Sequence, residues 1–97
     1  MQTGLEMTDE LETRRRRAYY RAHHRGTKEL DFLVGRFADA RLPAYSADEL
    51  ALFERFLAIP DPTVQEWILS GRAFKGVEFG DLIADIRSFH GLATETD

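Results

Sequence analysis

The chain has 97 residues, of which 43% are hydrophobic and 11% aromatic, and its formal net charge is −4 at pH 7. This composition supports one packed domain and argues against disorder, and the absence of cysteine excludes disulfides and thiolate metal sites. No apolar run approaches the roughly 20 residues that span a bilayer, so we expect no membrane insertion. Four acidic residues precede Arg14–Arg17. Because mitochondrial presequences avoid acidic residues, we do not interpret the arginines as part of one, and we expect a cytoplasmic protein.

The first predicted helix runs from a cap at Thr8 to about His23, with Asp9 and Glu10 as acids of its first turn. Arginines occupy most of its surface. Its apolar stripe is thin and consists of Leu11, Ala18, Tyr19 and Ala22.

The arginine run Arg14–Arg17 raises the question of nucleic-acid binding. Four consecutive residues wrap around a helix instead of forming one stripe, and acids one turn earlier offer i,i+4 ion pairs to Arg14 and Arg16. Residues 1–25 carry a net charge of +2 and residues 26–97 a net charge of −6. We therefore expect a solvated basic helix and no nucleic-acid partner.

Two further helices follow with amphipathic spacing. The second starts just after Gly26 and is stopped by Pro43. The third starts with a capping box, in which Ser46 is the cap and Glu49 stands three residues later. Their apolar positions are Leu30, Leu33, Val34, Phe37 and Ala38 in the second helix, and Leu50, Leu52, Phe53, Phe56 and Leu57 in the third.

The fourth helix is predicted to start at Asp61-Pro62, with Asp61 as the capping acid and the proline in the first turn, and to end at Gly71. A looser stretch over residues 72–80 leads to a fifth helix that closes at Gly91. The only strand candidate, residues 77–79, is too short to build a sheet. The apolar positions are Val64, Trp67 and Ile68 in the fourth helix, and Leu82, Ile83, Ile86 and Phe89 in the fifth.

These patterns predict an all-α fold, a compact five-helix bundle formed by a single domain over residues 1–97. We expect residues 1–7 and 92–97 to be frayed. The predicted core consists of Leu33, Phe37, Phe53, Leu57, Trp67, Ile68, Leu82 and Ile86.

No catalytic or metal centre is indicated. On a helix His23 and His24 point about 100° apart, so they cannot both grip one ion, and His90 is distant in sequence. The serines have no evident base, and the glycines lack the spacing of a phosphate-binding loop. We expect no catalytic residue, no metal and no enzymatic activity.

The stretch Arg25-Gly26-x-x-Glu29 joins the first two helices. Gly26 at a positive φ would end the first helix, and Glu29 suits the first turn of the second. This explanation does not account for His24 and Arg25, which crowd the same joint.

The joint and the segments after it resemble the SdhE family of small five-helix factors. The resemblance covers about residues 8–91 and rests on two features, RGTKELDFLVGRF and, some thirty residues later, PDPTVQEWILSG. Many members have a second arginine at the position of His24 and methionine at that of Thr27. The first departure could weaken a charge contact with the partner, and the second alters local packing.

The resemblance implies a non-enzymatic assembly factor that promotes covalent attachment of FAD to the flavoprotein subunit of succinate dehydrogenase and, in some bacteria, of fumarate reductase. In such proteins the partner supplies the histidine that is bonded to the flavin. The factor itself is expected to bind no cofactor stably, and the resemblance is compatible with action with or without direct contact to FAD. The partner-binding residues it implies are His24, Arg25, Gly26, Glu29 and Asp31.

A physical hypothesis accompanies this assignment. The missing Cβ of Gly26 would let a partner's backbone come close, while Arg25 and Glu29 would hydrogen-bond the partner from both signs of charge. Two other classes stay open, a small antitoxin-like protein-interaction regulator and a nucleic-acid-binding module.

Overall fold

The computed structural model describes the backbone of residues 3–71 and 78–92, and the side chains from Glu10 onward within those ranges. Within them the chain is helical and contains no strand, so the predicted all-α five-helix fold is confirmed. The helices are α1 (Thr3–His23), α2 (Lys28–Arg41), α3 (Ala47–Leu57), α4 (Asp61–Ser70) and α5 (Gly80–Phe89), with a short 3-10 helix at Leu42–Ala44. None of the helices described is both long enough and apolar enough to cross a membrane.

Helix α1 starts earlier in the chain than predicted. The expected cap, Thr8, lies inside the helix, which begins at Thr3. Leucine, glutamate and methionine at positions 5–7 are strong helix formers and continue the helix toward the N-terminus. The fraying of residues 1–7 and 92–97 stays a prediction, because positions 1–2 and 93–97 lie outside the described residues.

Four other helix ends, the C-terminal end of α2, the N-terminal end of α3 and the C-terminal ends of α4 and α5, follow the expected chemistry. The Ser46 hydroxyl accepts a hydrogen bond from the Glu49 amide at 3.1 Å, and the Glu49 carboxylate accepts one from the Ser46 amide at 2.8 Å, which confirms the capping box. Gly71 and Gly91 adopt positive φ values of 74° and 72° just after α4 and α5. Pro43 lies within the 3-10 helix that follows α2.

All eight predicted core residues are buried. Helix α1 packs on α2 and α3, while α5 packs on α4 and α2. Aromatic rings form a continuous path through this core, because successive ring centroids lie between 5.9 and 6.3 Å apart. In spatial order the path consists of Phe37, Phe53, Phe56, Phe79 and Trp67.

The place of Tyr19 on the apolar stripe of α1 was predicted wrongly. Its side chain is 49% exposed, and its ring packs on His23 with centroids 4.4 Å apart. The face of α1 that meets the core presents the small side chains of Ala18 and Ala22, both fully buried. These alanines let α1 approach its neighbours closely, and Tyr19 lies about 100° away from that contact.

The arginine run is only partly solvated. The Arg14 guanidinium donates two hydrogen bonds to Glu54 of α3, at 2.8 and 3.1 Å, instead of pairing one turn back on α1. Arg15 binds the Tyr45 carbonyl at 2.7 Å and Glu12 at 3.2 Å, while Arg16 and Arg17 are exposed. A carboxylate facing the planar fork of an arginine gives a stronger, bidentate pair than an i,i+4 contact.

Trp67→Ala should lower the free energy of unfolding by about 3–5 kcal/mol, because the ring is buried against Phe79 and its removal leaves a cavity. Urea unfolding followed by circular dichroism measures this change, because the variant lacks the chain's single tryptophan and cannot be followed by tryptophan fluorescence. Leu69→Ala, on the same helix but largely exposed, is the matched control and should change stability by less than about 0.5 kcal/mol. Equal stability of Trp67→Ala and wild type would show that the ring is not part of the core.

The Arg14–Glu54 pair should make the fold sensitive to acid. The hydrogen bonds from Arg14 hold the pKa of Glu54 below its ordinary value in the folded state. The stabilisation is therefore present above the unfolded pKa, about 4.3, and is lost as the pH falls through the folded pKa. Glu54→Gln should lose about 0.5–1 kcal/mol at neutral pH and show a smaller drop in stability than wild type between about pH 6 and pH 3. Parallel pH profiles for the two proteins would contradict this.

Candidate functional site at the joint between the first two helices

The four residues between α1 and α2, His24–Thr27, form the first joint. The Thr27 hydroxyl accepts a hydrogen bond from the Leu30 amide at 3.1 Å and caps α2. The Asp31 carboxylate turns back toward the joint and accepts a hydrogen bond from the Arg25 amide at 2.5 Å. The joint is therefore held by the side chain of its last residue, Thr27, and by that of Asp31 in the first turn of α2.

The Arg25 side chain points into the protein and is only 6% exposed. Its Nη1 donates to the Leu57 carbonyl at 2.7 Å and its Nη2 to the Ile59 carbonyl at 2.8 Å. Leu57 is the last residue of α3, where carbonyls lack helical partners and the helix dipole favours a cation. Arg25 thus binds the C-terminal end of α3.

Asp61 binds the same guanidinium from the start of α4. Its Oδ1 lies 2.7 Å from Arg25 Nη2, and its Oδ2 accepts a hydrogen bond from the Gly26 amide at 2.6 Å. The prediction that Asp61 caps α4 was wrong, since Pro60 is at the cap position and Asp61 is the first residue of the helix. A guanidinium and an amide from the first joint offer its carboxylate stronger, charge-assisted contacts than one amide of its own helix.

Gly26 is needed for a reason other than the one predicted. Its φ is not positive, so the expected left-handed turn is wrong. A Cβ built on Gly26 would collide with the Asp61 carboxylate that accepts its amide hydrogen. The space that we expected a partner's backbone to fill is therefore occupied by Asp61 of this chain.

Two members of the predicted site face solvent with their side chains. His24 is exposed, with its ring stacked on Tyr20 at 3.9 Å and its Nδ1 2.8 Å from the Tyr20 carbonyl. Glu29 is exposed on the first turn of α2, and its Oε1 accepts a hydrogen bond from Gln65 Nε2 of α4 at 3.4 Å. The acid and the histidine thus lie on either side of the joint.

The five predicted site residues lie together at this joint but differ in what they present. Arg25 and Asp31 are directed inward, whereas His24, Gly26 and Glu29 are exposed. That all five bind a partner stays a prediction.

The sequence reasoning missed Asp61 and Gln65, which touch the Arg25-Gly26-x-x-Glu29 motif from α4. The only signal for them in the sequence was that the segment PDPTVQEW, which contains both residues, supports the same family resemblance as the motif.

The described part of the chain contains no cluster of three or more histidine or acidic side chains that could hold a metal ion. Each histidine there has a local contact. His23 lies 2.8 Å from Asp39, and His90 Nε2 lies 2.7 Å from the Leu33 carbonyl.

A sequence profile of the family described as "Flavinator of succinate dehydrogenase" matches residues 16–90. The match begins within the arginine run and ends one residue before Gly91. It therefore includes both the first joint and the start of α4.

Three curated relatives carry the printed name "FAD assembly factor SdhE". The protein of Acetobacter pasteurianus is 45% identical over 60 residues, which span 62% of this chain and 55% of that protein. The protein of Coxiella burnetii is 32% identical over 65% of this chain and 77% of its own length. The protein of Acinetobacter baylyi is 31% identical over 88% of this chain and 100% of its own length. No solved structure matches the chain.

Gly26→Ala should destabilise the protein by about 1–3 kcal/mol, because the new methyl group displaces the Asp61 carboxylate from two charged or polar partners. Gly80→Ala is the matched control, since nothing lies within 4 Å of a Cβ there and alanine favours a helix by up to about 1 kcal/mol. Urea unfolding of both variants measures the difference.

The same substitution in an Asp61→Ala background separates steric collision from backbone strain. The Gly26→Ala penalty should largely disappear there, because the carboxylate that the methyl group meets is gone. An undiminished penalty would show that the backbone of Gly26, and not Asp61, excludes alanine.

Proposed function

Because the chain belongs to the family described as flavinators of succinate dehydrogenase, we propose that it is a non-enzymatic assembly factor. It binds the flavoprotein subunit of succinate dehydrogenase and promotes the covalent attachment of FAD to that subunit. The relatives' names describe assembly factors and not catalysts, in agreement with the prediction that the chain is not an enzyme.

The observation that carries this proposal is an exposed carboxylate on a rigidly held joint. Glu29 projects from the first turn of α2, beside a backbone turn that Arg25 and Asp61 fix from within. An acid in that position can accept charge-assisted hydrogen bonds from donors of a partner. The exposed face of the first joint, with His24, Gly26 and Glu29, is the surface that we assign to the flavoprotein.

The mechanism uses binding and orientation. The partner supplies both the flavin and the histidine that becomes bonded to it, and the chain stabilises the arrangement of the partner in which the two meet. Differential affinity for one conformation shifts the partner toward it, and correct orientation can be worth several kcal/mol of a reaction barrier. No residue of the first joint is required to exchange a proton with the flavin.

We assign the FAD to the partner and propose that this chain holds none stably. The cation of the motif, Arg25, is engaged with carbonyls and a carboxylate of its own chain, so its fork is not available to a phosphate. The outward-facing acid of the motif, Glu29, would repel one.

The flavoprotein of fumarate reductase is a second proposed client, by resemblance to family members that serve both enzymes. The proposed compartment is the cytoplasm, where these subunits would be assembled. The test described next applies equally to either flavoprotein.

Glu29→Ala should abolish or strongly reduce covalent FAD attachment while leaving the fold nearly intact, since a first-turn acid contributes only about 0.3–1 kcal/mol. Asp48→Ala is a matched control, because Asp48 is also exposed and also stands two residues after the helix cap, in α3. The measurement is in-gel flavin fluorescence of the denatured flavoprotein, produced with each variant in a strain that lacks its own factor.

Fluorescence should fall with Glu29→Ala and stay at the wild-type level with Asp48→Ala, at matched expression. Thermal melts of both variants show whether they are folded under the assay conditions. Full fluorescence with a folded Glu29→Ala protein would remove the first joint as the functional site.

A further inference from the structure

We propose that Asp61 is a positioning residue for the motif, and that the first turn of α4 holds the first joint in the shape that the flavoprotein recognises. The inference rests on the proposed function, because it concerns how the joint is presented to that partner. Asp61 lies 35 residues from Gly26 in sequence, outside the motif, and contacts it directly.

The two carboxylate oxygens of Asp61 bind two adjacent residues of the joint. Oδ1 contacts the Arg25 side chain at 2.7 Å, and Oδ2 accepts the hydrogen of the Gly26 amide at 2.6 Å. A planar carboxylate that binds a side chain and the next peptide N–H constrains the orientation of that peptide. The exposed turn at Gly26 is therefore fixed by an acid on another helix.

The next turn of α4 contacts the other end of the motif. Gln65 lies one helical turn after Asp61 and donates a hydrogen bond to Glu29 at 3.4 Å. Helix α4 thus touches Arg25 and Gly26 through Asp61, and Glu29 through Gln65. The distance between the exposed turn and the exposed acid depends on α4 as well as on α2.

Asp61 keeps about 30% of its side chain exposed, so its removal need not unfold the protein. Its effect on the joint can then be measured on folded protein. The Arg14–Glu54 pair is a suitable control, since it is also a charge pair between two helices and involves no residue of the first joint. If Asp61 only stabilised the fold, then substitutions at Asp61 and at Glu54 would affect the first joint in the same way.

The Gly26 amide provides a direct spectroscopic test of the contact. In wild-type protein its hydrogen is donated to a carboxylate, so it should exchange slowly with deuterium despite the exposure of Gly26. Asp61→Asn should speed exchange at Gly26 by about tenfold or more. Glu54→Gln should leave that rate unchanged at a temperature where both variants are fully folded.

The functional test is a double-mutant cycle on the dissociation constant for purified succinate dehydrogenase flavoprotein, with the full chain. Asp61→Asn should weaken binding by roughly tenfold, within the range that small misplacement of a binding group produces. Adding it to Glu29→Ala should weaken binding by less than about twofold more, because there is no longer an acid to position. Glu54→Gln should bind like wild type.

The outcomes distinguish a failure of this inference from a failure of the proposed function on which it rests. Wild-type affinity in folded Asp61→Asn, or fully additive effects with Glu29→Ala, would overturn the positioning role and leave the proposed function standing. No binding by wild-type protein, or no effect of Glu29→Ala, would overturn both. If Asp61→Asn is unfolded by circular dichroism, Gln65→Ala takes its place in the cycle, and wild-type affinity in that variant would likewise overturn the inference.

Discussion

The Arg25 guanidinium is the contact on which the arrangement of four helix ends depends. It lies where α1 ends and α2 begins, and it binds the carbonyl end of α3 and the first residue of α4. Charge favours each contact, since a cation suits the C-terminal end of a helix and an acid suits the N-terminal end. Because the guanidinium is buried, losing any one of these partners leaves some of its donors unsatisfied, and this couples the four ends energetically.

This arrangement changes what the motif means physically. The arginine, taken alone, suggests a fork for a partner's carboxylate, but its donors are directed at this chain. The glycine suggests a left-handed turn, but its missing side chain makes room for Asp61. Two of the three fixed positions therefore build the joint, and Glu29 alone among them extends its side chain into solvent. If Glu29 binds the partner as proposed, this short signature combines a structural and a recognition role that the sequence does not separate.

The fold could be predicted from the sequence because its determinants are local. Apolar periodicity, the Ser46 capping box and the glycines after α4 and α5 each act within one or two helical turns, and apart from Tyr19 they were found where expected. Two of the errors concern side chains that choose between a local and a distant partner. Asp61 and Arg14 each had a plausible partner within their own helix, yet both pair across helices. Only the tertiary arrangement shows that a guanidinium fork faces a carboxylate in both places.

A joint that is already ordered has an advantage for a factor whose role is to bind one arrangement of a larger protein. Fixing the backbone of a flexible residue costs roughly 1–2 kcal/mol, so ordering a four-residue turn during binding could remove several kcal/mol from the affinity. Here the contacts of Arg25, Asp31 and Asp61 meet that cost when the chain folds. In the proposed function, the free energy of a contact between Glu29 and the partner can then be used to select a conformation of the partner. The proposed role therefore asks binding and orientation of this chain, while the chemistry belongs to the partner.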